Sequence, residues 1–285
     1  MPSQTIQWFP GHMAKTERLI TENIKNIDFV IEILDARIPI SSRNPDILKL
    51  TSVKPRIILL NKADLADPDA TAKFCEKYTN DGCICIQSNS VTGKGFEKIQ
   101  KAYTELCAEK LQRFEDKGMA GRKLRAMVLG VPNVGKSSFI NKISGSKKAK
   151  VENRPGVTLT KQWVQTSIGI DLMDMPGVLW PKFENSTVGE NLALTGAVKD
   201  DILDIESLAC TLVSRLRTLY PSLLEARYKI SEDYSELSDY DLLELIGKKR
   251  GFLLRGGIPD TEKTSKILLD EFRSCKIGRI TLDII

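Results

Sequence analysis

One stretch, Leu124 to Ser138 (LRAMVLGVPNVGKSS), restricts the fold more than any other. Ala126 to Leu129 is an apolar run of the buried-strand type. It breaks into Gly130-Val-Pro-Asn-Val-Gly135-Lys136-Ser137, which matches G-x-x-x-x-G-K-[ST]. Phe139, Ile140 and Ile143 then fall on one side of an amphipathic segment. A strand, a glycine-rich turn and a helix start are the context in which this pattern binds phosphate. Glycines let the backbone close around phosphate oxygens. The N–H groups of Asn133, Val134, Gly135, Lys136, Ser137 and Ser138 add the positive end of a helix. Lys136 reaches the β- and γ-phosphates, and the Ser137 hydroxyl is a Mg²⁺ ligand.

A second signal lies upstream. Arg56 to Leu60 reads as a strand ending in Asn61-Lys62-Ala63-Asp64, an NKxD pattern. A carboxylate at Asp64 accepts two N–H groups from the N1 and N2 edge of guanine, an edge adenine lacks. Asn61 bonds the purine and ties the loop together, while the stem of Lys62 covers one face of the base. The tetrapeptide alone is common. At a strand's C-terminal end beside a phosphate loop it points to guanine. Cys83 to Ile86 is a third strand, ending in Ser88-Asn89-Ser90, whose N–H groups at Asn89 and Ser90 suit the guanine carbonyl.

After the phosphate loop come Arg154-Pro155-Gly156-Val157-Thr158, where Thr158 suits a switch that senses Mg²⁺ and γ-phosphate. Trp163 to Ile168 and Gly169 to Met173 alternate as a strand pair. The second ends at Asp174-Met175-Pro176-Gly177, a D-x-x-G pattern in which Asp174 holds the Mg²⁺ shell and the Gly177 N–H meets the γ-phosphate. In Ras-like GTPases the phosphate loop comes first. Here NKAD and Ser88-Asn89-Ser90 precede it, the order of a circularly permuted domain. The parallel sheet survives permutation because the binding loops gather at its C-terminal strand ends whatever the connection order. The expected fold is α/β: a permuted Ras-like GTPase domain over 1–184 and an all-helical domain over 185–285. The D-x-x-G switch then runs directly into the helical region, so nucleotide state is expected to pass there.

Helices are expected over Ala14 to Ile27, Asp69 to Tyr78 and, as one long element, Phe96 to Lys117. Four more follow: Thr187 to Val198, Ile205 to Leu219, Ser238 to Ile246 and Thr261 to Phe272. Phe29 to Leu34 is a strand ending at Asp35-Ala36-Arg37, and Ser41 to Pro45 is a polar loop. Leu208, Leu212, Leu216 and Leu219 form a core stripe. Between Gly247 and Gly257 the chain is basic with no acid; Lys248, Lys249, Arg250 and Arg255 fit RNA phosphates or a solvated charged face equally.

The net charge of +5 over 285 residues is compatible with nucleic acid and no more. No apolar run is long enough for a membrane span. The N-terminus has the form of neither a signal peptide nor an Arg-rich presequence. Six cysteines without a CxxC pair read as buried reduced thiols, Cys83 and Cys85 on one strand face. His12 is the chain's single histidine, and a lone histidine is ordinarily a surface or packing residue.

WFPGHM at Trp8 to Met13, DARIP at Asp35 to Pro39, SSRNP at Ser41 to Pro45, NKAD, PNVGKS, RPGVT and DMPGVLWPKF at Asp174 to Phe183 closely resemble the YlqF/RbgA ribosome-assembly GTPases. The resemblance spans essentially the whole chain. It implies GTP hydrolysis coupled to late maturation of the large ribosomal subunit, a helical domain on ribosomal RNA, and a cytoplasmic protein of bacterial type. A monomer is the default. Val178 and Leu179 stand where Ras-type enzymes carry a water-orienting glutamine, and neither can activate water. The resemblance implies His12 as the catalytic substitute beside Lys136. It also implies a potassium ion at Asn133, placed where an arginine finger otherwise supplies charge. A GTP-sensing RNA-binding module with incidental hydrolysis is the competing reading.

Overall fold

The computed structural model describes residues 10–119, 121–145, 162–180, 183 and 185–285. Thr158, Trp8, Phe9 and the RPGVT segment lie outside the described residues.

Six strands form one sheet in the order β3-β2-β1-β4-β6-β5: β1 (Phe29–Asp35), β2 (Arg56–Asn61), β3 (Ile84–Gln87), β4 (Leu124–Leu129), β5 (Gln162–Gln165) and β6 (Ile170–Asp174). Only β5 runs antiparallel, on β6. The other five are parallel, so their C-terminal ends share one sheet edge. Asp35 pairs in register with Asn61, Leu60 with Gln87, and Val128 with Asp174, which aligns the motif loops along that edge. β1 and β2 are buried at every position, as parallel strands covered on both faces must be. Glu32 in β1 is tolerated because Arg56 and Arg43 bind its carboxylate, at 2.8 and 3.3 Å. The strand order and motif order together are consistent with circular permutation.

The covering helices are α1 (Pro10–Asn23), α2 (Pro45–Leu50), α3 (Pro68–Asn80), α4 (Ile99–Leu106), α5 (Ala108–Asp116) and α6 (Lys136–Ser144). The helix expected over Phe96 to Lys117 is broken at Cys107. Upstream, Ile99, Ala102 and Tyr103 bury on the sheet; α5 has no fully buried residue and rests on the core only through the half-buried Leu111 and Phe114. The loop expected over Ser41 to Pro45 ends in a helix start: Asn44 Oδ1 accepts the N–H groups of Asp46 and Ile47, and Pro45 opens α2. All six cysteines are free, but only Cys107 is buried; β3 is an edge strand, which leaves Cys83 and Cys85 half-buried.

Beyond residue 185 lie α7 (Ser186–Leu194), α8 (Ile205–Leu219), α9 (Pro221–Tyr228), α10 (Asp239–Arg250) and α11 (Thr261–Arg273). Leu208, Leu212 and Leu216 of α8 are buried as the stripe required, but Leu219 at its end is only half-buried, and α9 was not expected. Glu271 joins α9, α10 and α11, accepting Tyr228 Oη at 2.9 Å and Arg250 at 3.0 Å and pairing with Arg227. One apolar cluster runs from Phe29, Val128 and Phe139 to Leu212 and Phe272, so the core continues across residue 185. The segment after α11 returns to the sheet edge. There Asp283 accepts the N–H groups of Ile40 and Ser41, both at 2.7 Å.

Candidate nucleotide site

The phosphate loop leaves β4 through Gly130 at φ +151°, turns at Asn133 (φ +61°) and Gly135 (φ +103°), and enters α6 at Lys136. A Cβ on Gly135 would stand 2.3 Å from the Asn61 amide nitrogen, so close approach as well as dihedral requires glycine there. Val134 is buried; Ser137 and Ser138 are half-buried in the first turn of α6. Lys136 Nζ donates to the carbonyls of Gly130 and Val131, each at 2.8 Å. Burial pushes its pKa down to about 8, against the pull of Asp174. A Cβ on Gly177 would fall 2.3 Å from Lys136 Nζ, so the D-x-x-G turn lies against the phosphate loop.

Asp174 ends β6 with both carboxylate oxygens buried and without a hydrogen-bond partner among the described residues. Burial raises its pKa to about 6; the Lys136 charge works the other way. An orphaned carboxylate beside the helix start that bears Ser137 fits a hard divalent cation. Residues 178 and 179, directly after the turn, are apolar and buried. Met13 packs in the same cluster as Met175 and Val178, which brings the start of α1 to this side of the molecule. His12 precedes it in α1, and its side chain lies outside what is described.

At the other end, Asn61 joins three loops. Its Nδ2 donates to Val134 O at 2.6 Å, while Oδ1 accepts the Ser90 N–H at 2.8 Å and the Ser90 hydroxyl at 2.9 Å. Lys62 sits at φ +58° with its ammonium 3.0 Å from Asp35. Arg37 grips the same carboxylate through Nε (2.9 Å) and a terminal nitrogen (2.7 Å). Burial opposes ionisation of Asp35, but Arg37 and Lys62 hold its pKa far below the usual range. The Ala63 N–H donates to Ser88 O, Ser88 is buried behind, and Asp64 is exposed on the cleft wall. The donors expected for the guanine carbonyl are engaged elsewhere: the Asn89 N–H on Lys94 O at 3.0 Å, the Ser90 N–H on Asn61. The first closes the local turn onto Lys94, and the second is drawn off by the Asn61 amide at the end of β2.

The base end and the Asn133, Gly135 and Ser138 side of the phosphate loop line one cleft of about 1190 Å³, while Lys136, Ser137, Asp174 and Gly177 lie outside its lining. The volume exceeds the ~1,000 Å³ at the top of the ordinary small-ligand range, leaving room for a nucleotide. Its far wall comes from the helical region, including Gly196, Lys199, Asp270 and Arg273. Arg273 caps α7 through Ala193 O and Leu194 O and pairs with Asp200. Asn133 Nδ2 spans the cleft to Thr195 O (3.4 Å) and Gly196 O (3.3 Å). Arg37 and Arg273 were not assigned to the site from sequence; a buried arginine beside DAR was the available clue only for the former. Lys248, Lys249, Arg250 and Arg255 lie away from the cleft. The acids missing from their own stretch arrive from outside it: Glu244, Glu232 and Glu271 pair with Lys248, Lys249 and Arg250. Arg255 has no ion pair among the described residues.

Residues 125–242 match the family described as 50S ribosome-binding GTPase. The chain is similar to Ribosome biogenesis GTPase A of Priestia megaterium, 46% identical, over 98% of this chain and 96% of that one. Mitochondrial ribosome-associated GTPase 1 of Mus musculus is 33% identical over 97% of this chain and 90% of its own. Among solved structures, a GDP-bound TM YlqF superposes with a TM-score of 0.63 at 26% identity, covering 93% and 98% of the two chains. GNP-bound YlqF from T. maritima gives 0.60 at 25% identity, covering 94% and 97%.

Proposed function

Because the chain belongs to the ribosome biogenesis GTPase A family, we propose that this GTPase of ribosome assembly acts on the immature large subunit and leaves it after hydrolysis. The observation that carries the site is the single cleft lined by a guanine-type carboxylate, Asp64, at one end and by the phosphate-loop residues Asn133, Gly135 and Ser138 at the other. Asp64 selects the base, the Lys62 stem covers it with its ammonium tethered to Asp35, and Asn61 keeps the two loops in register. The backbone of Asn133 to Ser138 and Lys136 take the phosphates, and the Gly177 N–H takes the γ-phosphate.

The family uses Mg²⁺, and Ser137, Asp174 and Thr158 would hold it. When bound, the ion neutralises charge on the phosphates. A potassium ion at Asn133 would add positive charge beside them, with Oδ1 as its ligand and Nδ2 turned to the Thr195 and Gly196 carbonyls. The apolar pair after D-x-x-G supplies no group to orient water, which supports His12 in that role. A histidine on the N-terminal segment acts once a partner places it, so turnover should be slow alone. Lys248 and Arg255 contact RNA phosphates, with Lys249 and Arg250 at the edge of that face.

GTP hydrolysis measured in K⁺ and in Na⁺ buffer, with and without large ribosomal subunits, tests this reading. Subunits should stimulate turnover, more so in K⁺, and His12→Ala should abolish the stimulation while keeping GDP affinity. Turnover indifferent to subunits would remove the large subunit from the proposal and leave the GTP-sensing module.

A further inference from the structure

The loop that carries Asp64 is held by residues more than two hundred positions away. Arg279 spreads its guanidinium over two carbonyls, one nitrogen 2.7 Å from Ala63 O and Nε 2.8 Å from Ala66 O. The Ile280 N–H donates to Leu65 O at 3.2 Å. Thr281 Oγ1 accepts the Asp67 N–H, and the Tyr220 hydroxyl meets the Asp67 carboxylate at 3.1 Å. Of residues 63–67, Asp64 alone makes none of these bonds. The tether of Lys62 is braced from the same side: the Leu282 N–H donates to Arg37 O at 2.7 Å, and the Phe272 ring lies 5.5 Å from the Arg37 guanidinium.

We propose that Arg279 is a positioning residue for guanine recognition, setting Asp64 against the base edge through the Ala63 and Ala66 carbonyls. The proposal rests on the reading of Asp64 as the base-selecting carboxylate. To read guanine, that carboxylate must present both oxygens at once to N1–H and the exocyclic N2 amine. A small swing turns two bonds into one. The planar fork of Arg279 spans carbonyls on both sides of Asp64 and removes that swing. Arg279 is itself exposed and Ala63 half-buried, so without the fork the Ala63 carbonyl passes to water, whereas Ala66 is buried. Loss of the fork therefore loosens the loop and carries some cost in stability, which the control below separates from selectivity. A lysine reaches only one carbonyl at a time. Because docking of the C-terminal segment and base binding favour the same loop arrangement, each strengthens the other.

The test compares binding of GDP and of inosine diphosphate, which lacks the N2 amine, to the full chain. Arg279→Ala should weaken GDP about tenfold and inosine diphosphate about twofold, the size expected when one charged hydrogen bond to the base is lost. Arg279→Lys should fall between. Leu243→Ala opens a cavity in the helical core and serves as the stability control, since Leu243 is buried in α10, which supplies none of the bonds that hold this loop. It should keep the native ratio of the two affinities. A native ratio in both Arg279 variants, with Asp64→Asn altering base preference, would overturn the role of Arg279 and keep that of Asp64. A native ratio in Asp64→Asn as well would remove the base-site reading. A ratio that falls equally in Leu243→Ala would show that selectivity follows overall stability, which also overturns the proposal.

Discussion

The two ends of the site are built on opposite principles. At the base end most polar groups are paired within the protein: Asn61 bonds Val134 and Ser90, Lys62 and Arg37 share Asp35, and Arg279 holds Ala63 and Ala66. The Ser88 hydroxyl and one terminal nitrogen of Arg37 are buried there without a partner among the described residues. At the phosphate end both oxygens of Asp174 are buried without a hydrogen-bond partner among the described residues, and Lys136 rests on two backbone carbonyls. Base recognition is a matter of shape, so it can be assembled in advance within the protein. Phosphate and metal recognition is a matter of charge. A site that satisfied its own charges would have little left for the ligand. The phosphate end should therefore supply most of the affinity, and the base end most of the selectivity.

Lys136→Ala is the strongest way to break this contrast. Removing the ammonium should cost about 3 kcal/mol of nucleotide binding, roughly two orders of magnitude in Kd, while the preference for guanine persists. Titration with fluorescent GDP and inosine diphosphate measures both. An affinity within threefold of the parent would mean that the phosphate end is not where binding energy resides.

Asp174→Asn should give a smaller effect of opposite sign on the protein alone. The folded pKa of about 6 lies above the unfolded value of 3.8. Below about pH 3 the group is protonated in both states and adds nothing. As pH rises to 6 the unfolded state ionises first, and above 6 the buried charge opposes folding in full. Two pKa units set an upper bound of about 3 kcal/mol on the gain from asparagine, the attraction to Lys136 being already contained in the folded value. The nucleotide-free variant should melt higher than the parent at pH 7.5, with the difference closing as pH falls to about 3, while losing stabilisation by Mg²⁺ with GDP. A variant less stable at pH 7.5 would mean that Asp174 is satisfied after all, and the contrast would fail.

Local sequence made the phosphate end readable, because G-x-x-x-x-G-K-S prescribes its own turn and helix start within eight residues. NKAD was equally plain as a tetrapeptide. What holds NKAD in place was not, since Arg279, Ile280 and Leu282 act largely on backbone carbonyls, which look alike at every position. The donors expected at Asn89 and Ser90 are engaged for a related reason: Asn89 closes a local turn on Lys94, and the Asn61 amide takes the Ser90 N–H from 29 residues away. The basic run from Lys248 to Arg250 was read without its acids because Glu232 and Glu271 are brought in by helix packing alone. The core was visible as stripes and runs, but not that one cluster crosses the expected boundary at 185. Transmission to the helical region was expected through the chain after D-x-x-G. The structure adds two through-space routes, at the NKAD loop and at Asn133.

Among the described residues, Asn133 is the phosphate-loop residue whose side chain hydrogen-bonds to the helical wall, so it sharpens the comparison most finely. Its contacts to Thr195 and Gly196 are long, and each contributes at most about 0.5 kcal/mol. Its backbone lies at φ +61°, where alanine would add strain unrelated to the side chain. Glycine takes that conformation freely, which makes Asn133→Gly the cleaner probe. Stability should change by less than about 1 kcal/mol by chemical denaturation, and GDP affinity should stay within a few fold. Stimulation of hydrolysis by K⁺ over Na⁺ should disappear, because the amide oxygen proposed to hold the ion is gone. Persistent stimulation would place the ion on other ligands. A stability loss beyond about 2 kcal/mol would carry a different lesson. The phosphate loop would then be braced against the helical region as firmly as the NKAD loop, and preassembly would no longer separate the two ends of the site.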